Sequence, residues 1–430
     1  MSFGIATRNG VSLGLGTTPS LTKVLPYATL RLNFAGIGAL DSILTFTRAS
    51  SQTYFDSTGT LQTATTNVAA FDYNPTTLVP LGLSMWEART NSIRNNTMVG
   101  AVAGTPGTVP TNWFVNNLRG LTQQVVNTTT VNGISKITVR FSGTPSSSGR
   151  IGLFFDTYIT ATSAQVWNES SFVAMAAGSM ANITNLRNQI DEYTVVGAIL
   201  ITTQSGADIT PTAAIARYNS TWAALNVATT GLLPCTSFVV TNGQAVDITL
   251  DFGMPQLELG AFATPVIATT TTAATRAAPA CSTTNLGWYN ATQGTFVSKN
   301  RITALPSSGA NSGAFEMDDG TFNNVIGNWT SSTGAVGMNV RSGGVVQAGV
   351  NLGTAAANSE IRIASAYATN DFAGSFNAGT IATDTSGTVP VVTTLNLGNI
   401  AFGQIINGWI ASLTYYPLRL PNATLQSLST

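Results

Sequence analysis

The chain of 430 residues carries 18 Lys and Arg, 18 Asp and Glu and no His, so its formal net charge is zero. Charged residues make up 8% of it, against about 25% in ordinary soluble domains. The scattered cations exclude the basic surface that binding to nucleic acid or an anionic membrane requires. The lack of His excludes Ser-His-Asp and Cys-His catalysis and the usual zinc sites.

The length predicts two or three domains. We expect no membrane insertion, because no apolar run reaches the roughly 18 residues of a membrane helix. Residues 1–8 show no basic segment followed by an apolar one, so we also expect no secretory signal. Cys235 and Cys281 leave two interpretations open, a disulfide between neighbouring domains or two buried thiols that act as small hydrophobic side chains.

The first 94 residues predict an arm followed by a short β-region. Residues 1–40 are rich in Gly and weakly patterned, apart from one alternating stretch at 30–34. The sequence Asp56-Ser-Thr-Gly59 is typical of a hairpin turn. Because buried charges need partners, we expect Arg48, Glu87 and Arg89 to form ion pairs or a polar network.

Residues 95–278 predict one β-sandwich. Apolar and polar residues alternate in the segments 137–141 and 246–252, as in half-buried strands. Turn-rich stretches separate these segments, which favours a sandwich over a helical domain. The segment Thr269–Pro279 has the composition of a linker, so we place a domain boundary at residue 278.

Residues 279–430 predict a second sandwich. Near its end Trp409, Ala411, Leu413 and Tyr415 are expected on one face of a strand, with Trp409 in the core. Asn422 is a candidate N-cap of a short final helix. The whole chain is therefore expected to be all-β, with an N-terminal arm and β-hairpin region followed by two antiparallel β-sandwich domains of jelly-roll type.

Two sets of side chains are candidates for a binding site. Stacking rings among Asn, Ser and Thr suit sugar recognition, which makes Trp222, Trp329 and Tyr367 candidate ligand-binding residues, with core packing as the alternative. The second set is the acidic cluster of Glu316, Asp318 and Asp319. These residues are weak calcium candidates or a glycosidase pair, although a solvated turn explains them as well. We expect no catalytic residue and no cofactor.

Several motifs resemble one family. The tract around Arg48-Ala-Ser50, closing with Glu87-Ala-Arg-Thr-Asn91, is similar to a segment of tailed-bacteriophage structural proteins of the fibre, spike, minor tail or head decoration type. The sequences Gln256-Leu-Glu-Leu-Gly260 and Thr275-Arg-Ala-Ala278 resemble the end of the carbohydrate-binding-module-like jelly roll that follows this segment. The segment Tyr415–Leu420 resembles the end of the last strand in concanavalin-A-like and laminin-G-like sandwiches. A departure is Leu83-Ser-Met-Trp-Glu87, where the family has a Leu-Leu-Ile-Glu-like strand.

The resemblance implies a domain plan and a function. Residues 1–94 would attach the protein to other virion proteins, 95–278 would be the carbohydrate-binding-module-like sandwich, and 279–430 the concanavalin-A-like one. It implies a non-enzymatic protein of the virion surface, made in the host cytoplasm, which assembles as a homotrimer or another symmetric oligomer and adheres to host-surface polysaccharide. A purely architectural decoration protein is the alternative. A polysaccharide depolymerase would need two carboxylates about 5–9.5 Å apart.

Overall fold

The computed structural model describes residues 27–36, 38–194, 199–222, 225–400 and 404–430. These residues form antiparallel strands, with a short helix α1 at Asn422–Leu428, so the prediction of an all-β fold is confirmed. Asn422 is the first residue of the helix, and Pro421 takes the N-cap position that we predicted for Asn422. No helix in the described ranges is long and apolar enough to cross a membrane.

The strands follow one another in three groups. Those before residue 92 are β1 (Leu30–Asn33), β2 (Thr45–Thr47), β3 (Gln52–Phe55), β4 (Leu61–Ala64), β5 (Phe71–Tyr73), β6 (Pro80–Met85) and β7 (Arg89–Asn91). Those of the middle are β8 (Phe114–Asn116), β9 (Thr122–Val131), β10 (Ile134–Gly143), β11 (Gly149–Phe154), β12 (Ile159–Thr160), β13 (Trp167–Gly178), β14 (Ile183–Thr194), β15 (Ile199–Ser205), β16 (Ala216–Trp222), β17 (Gly231–Val240) and β18 (Val246–Leu259).

The third group completes the chain. It consists of β19 (Ala274–Arg276), β20 (Ala280–Thr283), β21 (Gln293–Ile302), β22 (Asn311–Ser312), β23 (Phe315–Asp318), β24 (Val325–Ser331), β25 (Ala335–Ser342), β26 (Val345–Thr354), β27 (Glu360–Ala368), β28 (Asp371–Phe376), β29 (Ala382–Asp384), β30 (Thr394–Leu397) and β31 (Gly408–Tyr416).

One sandwich is built from both ends of the chain, and we call it the composite sandwich. Its sheet 1 has the order β29-β28-β27-β21-β31-β6-β5, with β1 also paired to β31. Its sheet 2 has the order β2-β20-β30-β23-β24-β25-β26, with β22 paired to β24. The core between the sheets combines side chains from the two ends, such as Leu32 and Leu83 with Phe296, Met317 and Leu413.

The second sandwich, which we call the middle sandwich, comes from one continuous stretch. Sheet 3 has the order β16-β13-β18-β10-β9, and sheet 4 has β15-β14-β17-β11-β8 with β12 on β17. The predicted alternating segments supply its core, because Ile137, Val139 and Phe141 of β10 and Ile248 and Leu250 of β18 are fully buried. Period-two alternation thus identified these strands correctly.

The middle sandwich is inserted into the composite one. The chain passes between them through β7 and β19, which pair side by side with Asn91 opposite Ala274 and Arg89 opposite Arg276. The sequence assigned β1, β2, β5 and β6 to an attachment region, whereas their pairing places them in the composite sandwich. The divisions at residues 94 and 278 stay predictions, and residues 1–26 of the predicted arm lie outside the described residues.

The arginines of the resemblance motifs are buried where the sandwiches meet. Arg48 donates to the carbonyl oxygens of Ser50, Ala64 and Thr65, which closes the hairpin β3–β4. That hairpin lies against the middle sandwich, where the Leu61 backbone N–H donates to the Asn132 carbonyl at 2.8 Å. The motifs therefore encode the junction between the two sandwiches.

A second buried arginine joins segments of both sandwiches. Arg276 donates to the Glu87 carbonyl at 2.8 Å and to the Pro265 carbonyl at 3.2 Å. Glu87 and Arg89 form the expected ion pair, with Arg89 Nε 2.5 Å from Glu87 Oε1. Each sandwich also buries a free thiol, Cys235 in the middle one and Cys281 in the composite one, in agreement with the second of the two interpretations.

Candidate functional site

A concave site lies at the junction of the two sandwiches, and we call it the cleft. It lies between the hairpin β3–β4, the β5–β6–β31 edge of sheet 1 and the segment 263–266 that follows β18, and it encloses about 220 Å³. Four aromatic side chains that are each half-buried line it, namely Tyr54, Phe55, Tyr73 and Trp409. Ligand sites often form at such domain interfaces.

A β-bulge directs Trp409 into this cleft. Ser412 pairs with Lys299 and Ile410 pairs with Asn300, so Ala411 is one extra residue in β31. The extra residue reverses the alternation of the strand, as bulges do. Leu413 stays in the core whereas Trp409 points to the opposite face. The expectation that Trp409 lies in the core was therefore wrong, because a period-two pattern assumes an unbroken strand.

A second bulge shapes the same edge. Asp72 pairs with Gly82 and Tyr73 pairs with Pro80, so Leu81 is the extra residue of β6 and lines the cleft. Gly82 has a φ of +117°, and a Cβ there would overlap the carbonyl group of Ile410. Glycine at this position allows β6 to approach the bulged part of β31.

A buried carboxylate holds the cleft together. Asp72 Oδ1 accepts hydrogen bonds from the backbone N–H groups of Phe55 at 2.7 Å and Tyr73 at 3.1 Å. Its Oδ2 accepts one from Trp409 Nε1 at 2.9 Å. Burial raises the pKa of Asp72 to about 6, although the three hydrogen bonds oppose that shift. One side chain thus fixes the hairpin, β5 and the indole ring of β31 relative to one another.

The opposite wall belongs to the middle sandwich. Arg217 of β16 donates to the Thr264 carbonyl at 2.8 Å and to Ser170 Oγ at 2.7 Å. Its guanidinium lies 5.8 Å from the centre of the Phe172 ring. The cleft therefore offers ring faces beside a carboxylate, a guanidinium and the amide of Asn74. Rings suit the apolar faces of sugars, and polar groups suit their hydroxyls.

The structure places two of the predicted ligand-binding residues in cores. Trp222 is 4% exposed and lies opposite Trp167 on the inner face of sheet 3. Tyr367 is fully buried, with its hydroxyl donating to the Asn290 carbonyl at 2.8 Å and bonded to the Tyr415 hydroxyl at 2.8 Å. Each occupies an inward position of its strand, so neither offers a ring face to a ligand here.

The third predicted residue, Trp329, lies on the outer face of sheet 2 and is half-buried. Its ring covers the backbone of Gly337, and Asn351 follows in the same row across the strands. This position is open to a ligand, but it is on a different sheet from Trp222 and Tyr367. The three predicted residues therefore do not form one site.

The acidic cluster forms no metal site in the described part of the chain. Asp318 accepts hydrogen bonds from the Gly320 backbone and from Asn396, and Asp319 accepts from Thr321 and Asn324. No group of three or more Asp, Glu, Cys or His side chains there could hold a metal ion. Asp319 lies in the loop between β23 and β24, in agreement with the turn interpretation, whereas Glu316 and Asp318 are buried in β23, where a solvated turn does not explain them.

Sequence reasoning missed the residues of the cleft, although a signal was present. Tyr54, Phe55 and Tyr73 each stand beside a turn, in the segments Asp56–Gly59 and Asn74–Pro75. Aromatic residues that flank turns lie where strands end, and ligand sites commonly occur there. The sequence does not show that these turns face a segment more than 180 residues later, around Thr264.

Comparisons with known proteins find weak similarity in fold. No family model matches the chain, and no curated protein matches it. The carbohydrate-binding module CBM40 of the Ruminococcus gnavus IT-sialidase, bound to α2,6-sialyllactose, has 18% identity and a TM-score of 0.29. That match covers 33% of this chain and 85% of the module.

Two larger structures match in the same way. Domains LG4-5 of the mouse laminin α1 chain have 9% identity and a TM-score of 0.24, over 67% of this chain and 90% of theirs. The Trypanosoma rangeli sialidase in complex with the inhibitor DANA has 10% identity and a TM-score of 0.26, over 72% of this chain and 66% of that one. All three scores lie below 0.5, so no residue role transfers from them.

Proposed function

We propose that this protein binds a glycan in the cleft between its two sandwiches. The observation that carries this proposal is the set of four half-buried aromatic side chains around the hydrogen-bonded carboxylate of Asp72. The enclosed volume of about 220 Å³ is below the roughly 300–1,000 Å³ of drug-sized ligand pockets. It therefore suits one end or one residue of a saccharide.

The biological setting that we propose is the surface of a tailed-bacteriophage particle, as a fibre, spike or decoration protein. The support is the resemblance of the motifs around Arg48, Glu87–Asn91 and Arg276 to that family. These same residues build the junction that forms the cleft. We further propose that the N-terminal region attaches to other virion proteins and that the protein is a homotrimer or another symmetric oligomer.

Weak sites suffice in such a particle. Many copies that engage one surface raise the overall binding by orders of magnitude without any new contact. We propose binding to host-surface polysaccharide without cleavage. Asp72 is the one carboxylate among the residues that line the described cleft, and it accepts three hydrogen bonds from the protein. Glycoside hydrolysis uses two carboxylates.

The second candidate function is purely architectural. Val345 and Val346 are 62% and 52% exposed at the hairpin between β25 and β26, and Val391 is 77% exposed. Interface cores are poor in charge, and charged residues make up only 8% of this chain. In this case the composite sandwich would pack against neighbouring virion proteins and bind no sugar.

The test of glycan binding is the substitution Tyr73→Ala. Removing one stacking ring is expected to weaken the binding of isolated host-surface polysaccharide about tenfold, a loss of about 1.4 kcal/mol. The control is Tyr158→Ala, since Tyr158 is an exposed ring on the middle sandwich outside the cleft. The measurement is calorimetric titration of the folded oligomer, followed by size analysis of the polysaccharide.

Three results would change the conclusion. Equal affinity of the two variants would remove the cleft from the glycan site. Shortened polysaccharide after incubation would reveal an enzyme. Undetectable binding of the correctly assembled wild-type protein would favour the architectural function.

A further inference from the structure

We propose that the glycan is a chain of uncharged sugars that continues from the cleft into a groove along the junction of the sandwiches. This inference rests on the proposed function and specifies its ligand. The groove consists of two adjoining concavities of about 450 and 510 Å³. Both are lined by Glu87, Arg89 and Leu259, so they meet at this ion pair.

The cleft and the groove are neighbours along two chain segments. In the first segment, Ala263 and Thr264 line the cleft, whereas Ala261 and Phe262 line the groove. In the second segment, Thr303 lines the cleft and Ala304 lines the groove. Consecutive residues thus line the two concavities at two places, so the cleft and the groove adjoin along the junction.

The floor of the groove carries a ring and balanced charges. The Arg89 guanidinium lies 4.6 Å from the centre of the Phe262 ring and is paired with Glu87. Glu87 Oε2 also accepts a hydrogen bond from Asn407 Nδ2 at 3.0 Å. The charged groups of the lining therefore satisfy each other, which gives no electrostatic preference for an anionic or cationic polymer.

Hydroxyl groups border the groove on the solvent side. Thr90 and Thr275 are exposed, and their hydroxyl oxygens lie 2.7 Å apart across the paired strands β7 and β19. Ser307 is exposed at the other concavity. A ring, amides and hydroxyls along a path longer than one sugar suit a neutral saccharide chain.

The test compares fragments of different length. Neutral bacterial-surface polysaccharide is cut by mild acid and fractionated, from single sugar units to chains long enough to cross the groove. For the wild-type protein we expect the affinity to rise at least about tenfold from the shortest binding fragment to the longest. The substitution Phe262→Ala should remove most of this gain and leave the affinity for the shortest fragment unchanged.

The control variant has the same local arrangement elsewhere. Phe322 is half-buried beneath Arg341, with the guanidinium 4.4 Å from its ring centre, and it lies outside the cleft and the groove. Phe322→Ala should keep the full dependence on chain length. A second variant, Ser307→Trp, fills the groove from an exposed position and should reproduce the effect of Phe262→Ala without altering the supporting ring.

The outcomes separate this inference from the proposed function. If the wild-type protein binds short and long fragments equally, or if both groove variants keep the gain, the groove does not hold the chain and the cleft alone is the site. If no neutral fragment binds to the folded protein but the isolated host-surface polysaccharide does, the ligand is not an uncharged chain and this inference is wrong. If neither binds, the proposed glycan function itself is wrong.

Discussion

Two buried carboxylates of this chain differ in their partners. Asp72 accepts three hydrogen bonds in the cleft. Glu169 of β13 is fully buried on the inner face of sheet 3, and neither of its carboxylate oxygens has a hydrogen-bond partner among the described residues. Burial, with a contribution from Asp191, holds the pKa of Glu169 well above its ordinary value of 4.5. The side chain is therefore protonated well above that pH.

This shift determines how stability depends on pH. The native state binds a proton at Glu169 that the unfolded chain releases above about pH 4.5, so the stabilisation is complete below that pH. It is lost as the pH rises towards the native pKa. In this range the free energy of unfolding falls by about 1.4 kcal/mol for each pH unit, because one proton is released on unfolding. We expect Glu169→Gln to remove this slope above about pH 4.5 and to be more stable than the wild-type protein at pH 7.

Urea unfolding at several pH values measures this effect. The control is Glu360→Gln, because the pKa of Glu360 is shifted in the opposite direction. Glu360 is partly exposed, and although burial raises its pKa, hydrogen bonds from Lys299 and Arg362 outweigh that effect and lower it. This control should lose stability where Glu169→Gln gains it. A Glu169→Gln protein with the wild-type slope would show that Glu169 is ionised in the folded state.

At the scale of single residues, the sequence predicted ion pairs better than the positions of aromatic side chains. Scarce charges in an apolar chain need partners, which predicted the Glu87–Arg89 pair correctly. The candidate ligand-binding rings could not be assigned in this way, because Trp and Tyr near polar residues occur both in cores and at binding sites. Trp222 and Tyr367 proved to be core residues because of their inward strand positions, which polar neighbours in sequence do not reveal.

At the scale of elements, the limits of the sequence pattern lie at the bulges. Unbroken alternation located β10 and β18 correctly in the chain. The same pattern failed in β31, because Ala411 is one residue too many for the pairing with β21. A bulge is decided by the neighbouring strands, here by the close approach of Gly82 in β6. Those strands are more than 300 residues apart in the sequence.

The approach of β6 to β31 gives a prediction. Gly82→Ala places a Cβ against the carbonyl group of Ile410 and forces alanine into a φ of +117°. We expect a loss of at least about 2 kcal/mol of unfolding free energy. Glycan binding should weaken as well, because Trp409 would move. Urea unfolding and the binding titration measure the two effects.

The matched control separates conformational strain from overlap. Gly309 also has a positive φ, +78°, but a Cβ there meets nothing within 4 Å. Gly309→Ala should therefore cost only about 1 kcal/mol and leave binding intact. If the two alanine variants are equally stable, the contact between β6 and β31 does not require glycine.

At the scale of the whole molecule, the order of domains along the chain differs from their arrangement in space. The sequence predicted two sandwiches in succession after an arm. The structure inserts the middle one into the composite one, since β1 pairs with β31 and β2 with β20. Single-sequence patterns show which residues are strands but not which distant strands pair. Topology therefore lay beyond what the sequence could predict.

The insertion predicts that the composite sandwich folds without the middle one. Asn91 and Ala274 are paired neighbours, so residues 92–273 can be replaced by an Asn-Gly turn, which suits two antiparallel strands. We expect the shortened chain to keep a cooperative unfolding transition and β-type circular dichroism. It should lose glycan binding, because Thr264 and Arg217 of the cleft wall are removed.

The separate fragment 92–273 is the complementary test. It should fold by itself, since the core of the middle sandwich, from Ile93 to Leu257, lies within that fragment. An unfolded or aggregated shortened chain beside a folded fragment would mean that the composite sandwich depends on its insert.

The pairing of β1 with β31 also sets the order in which the protein can form on the ribosome. The strand Leu30–Asn33 is made more than 370 residues before its partner Gly408–Tyr416. The middle sandwich is synthesised in one stretch and can close while β1 and β6 still lack β31 and β2 still lacks β20. Until β31 is made, each nascent chain therefore carries a folded inner domain flanked by open strand edges, and such edges promote aggregation.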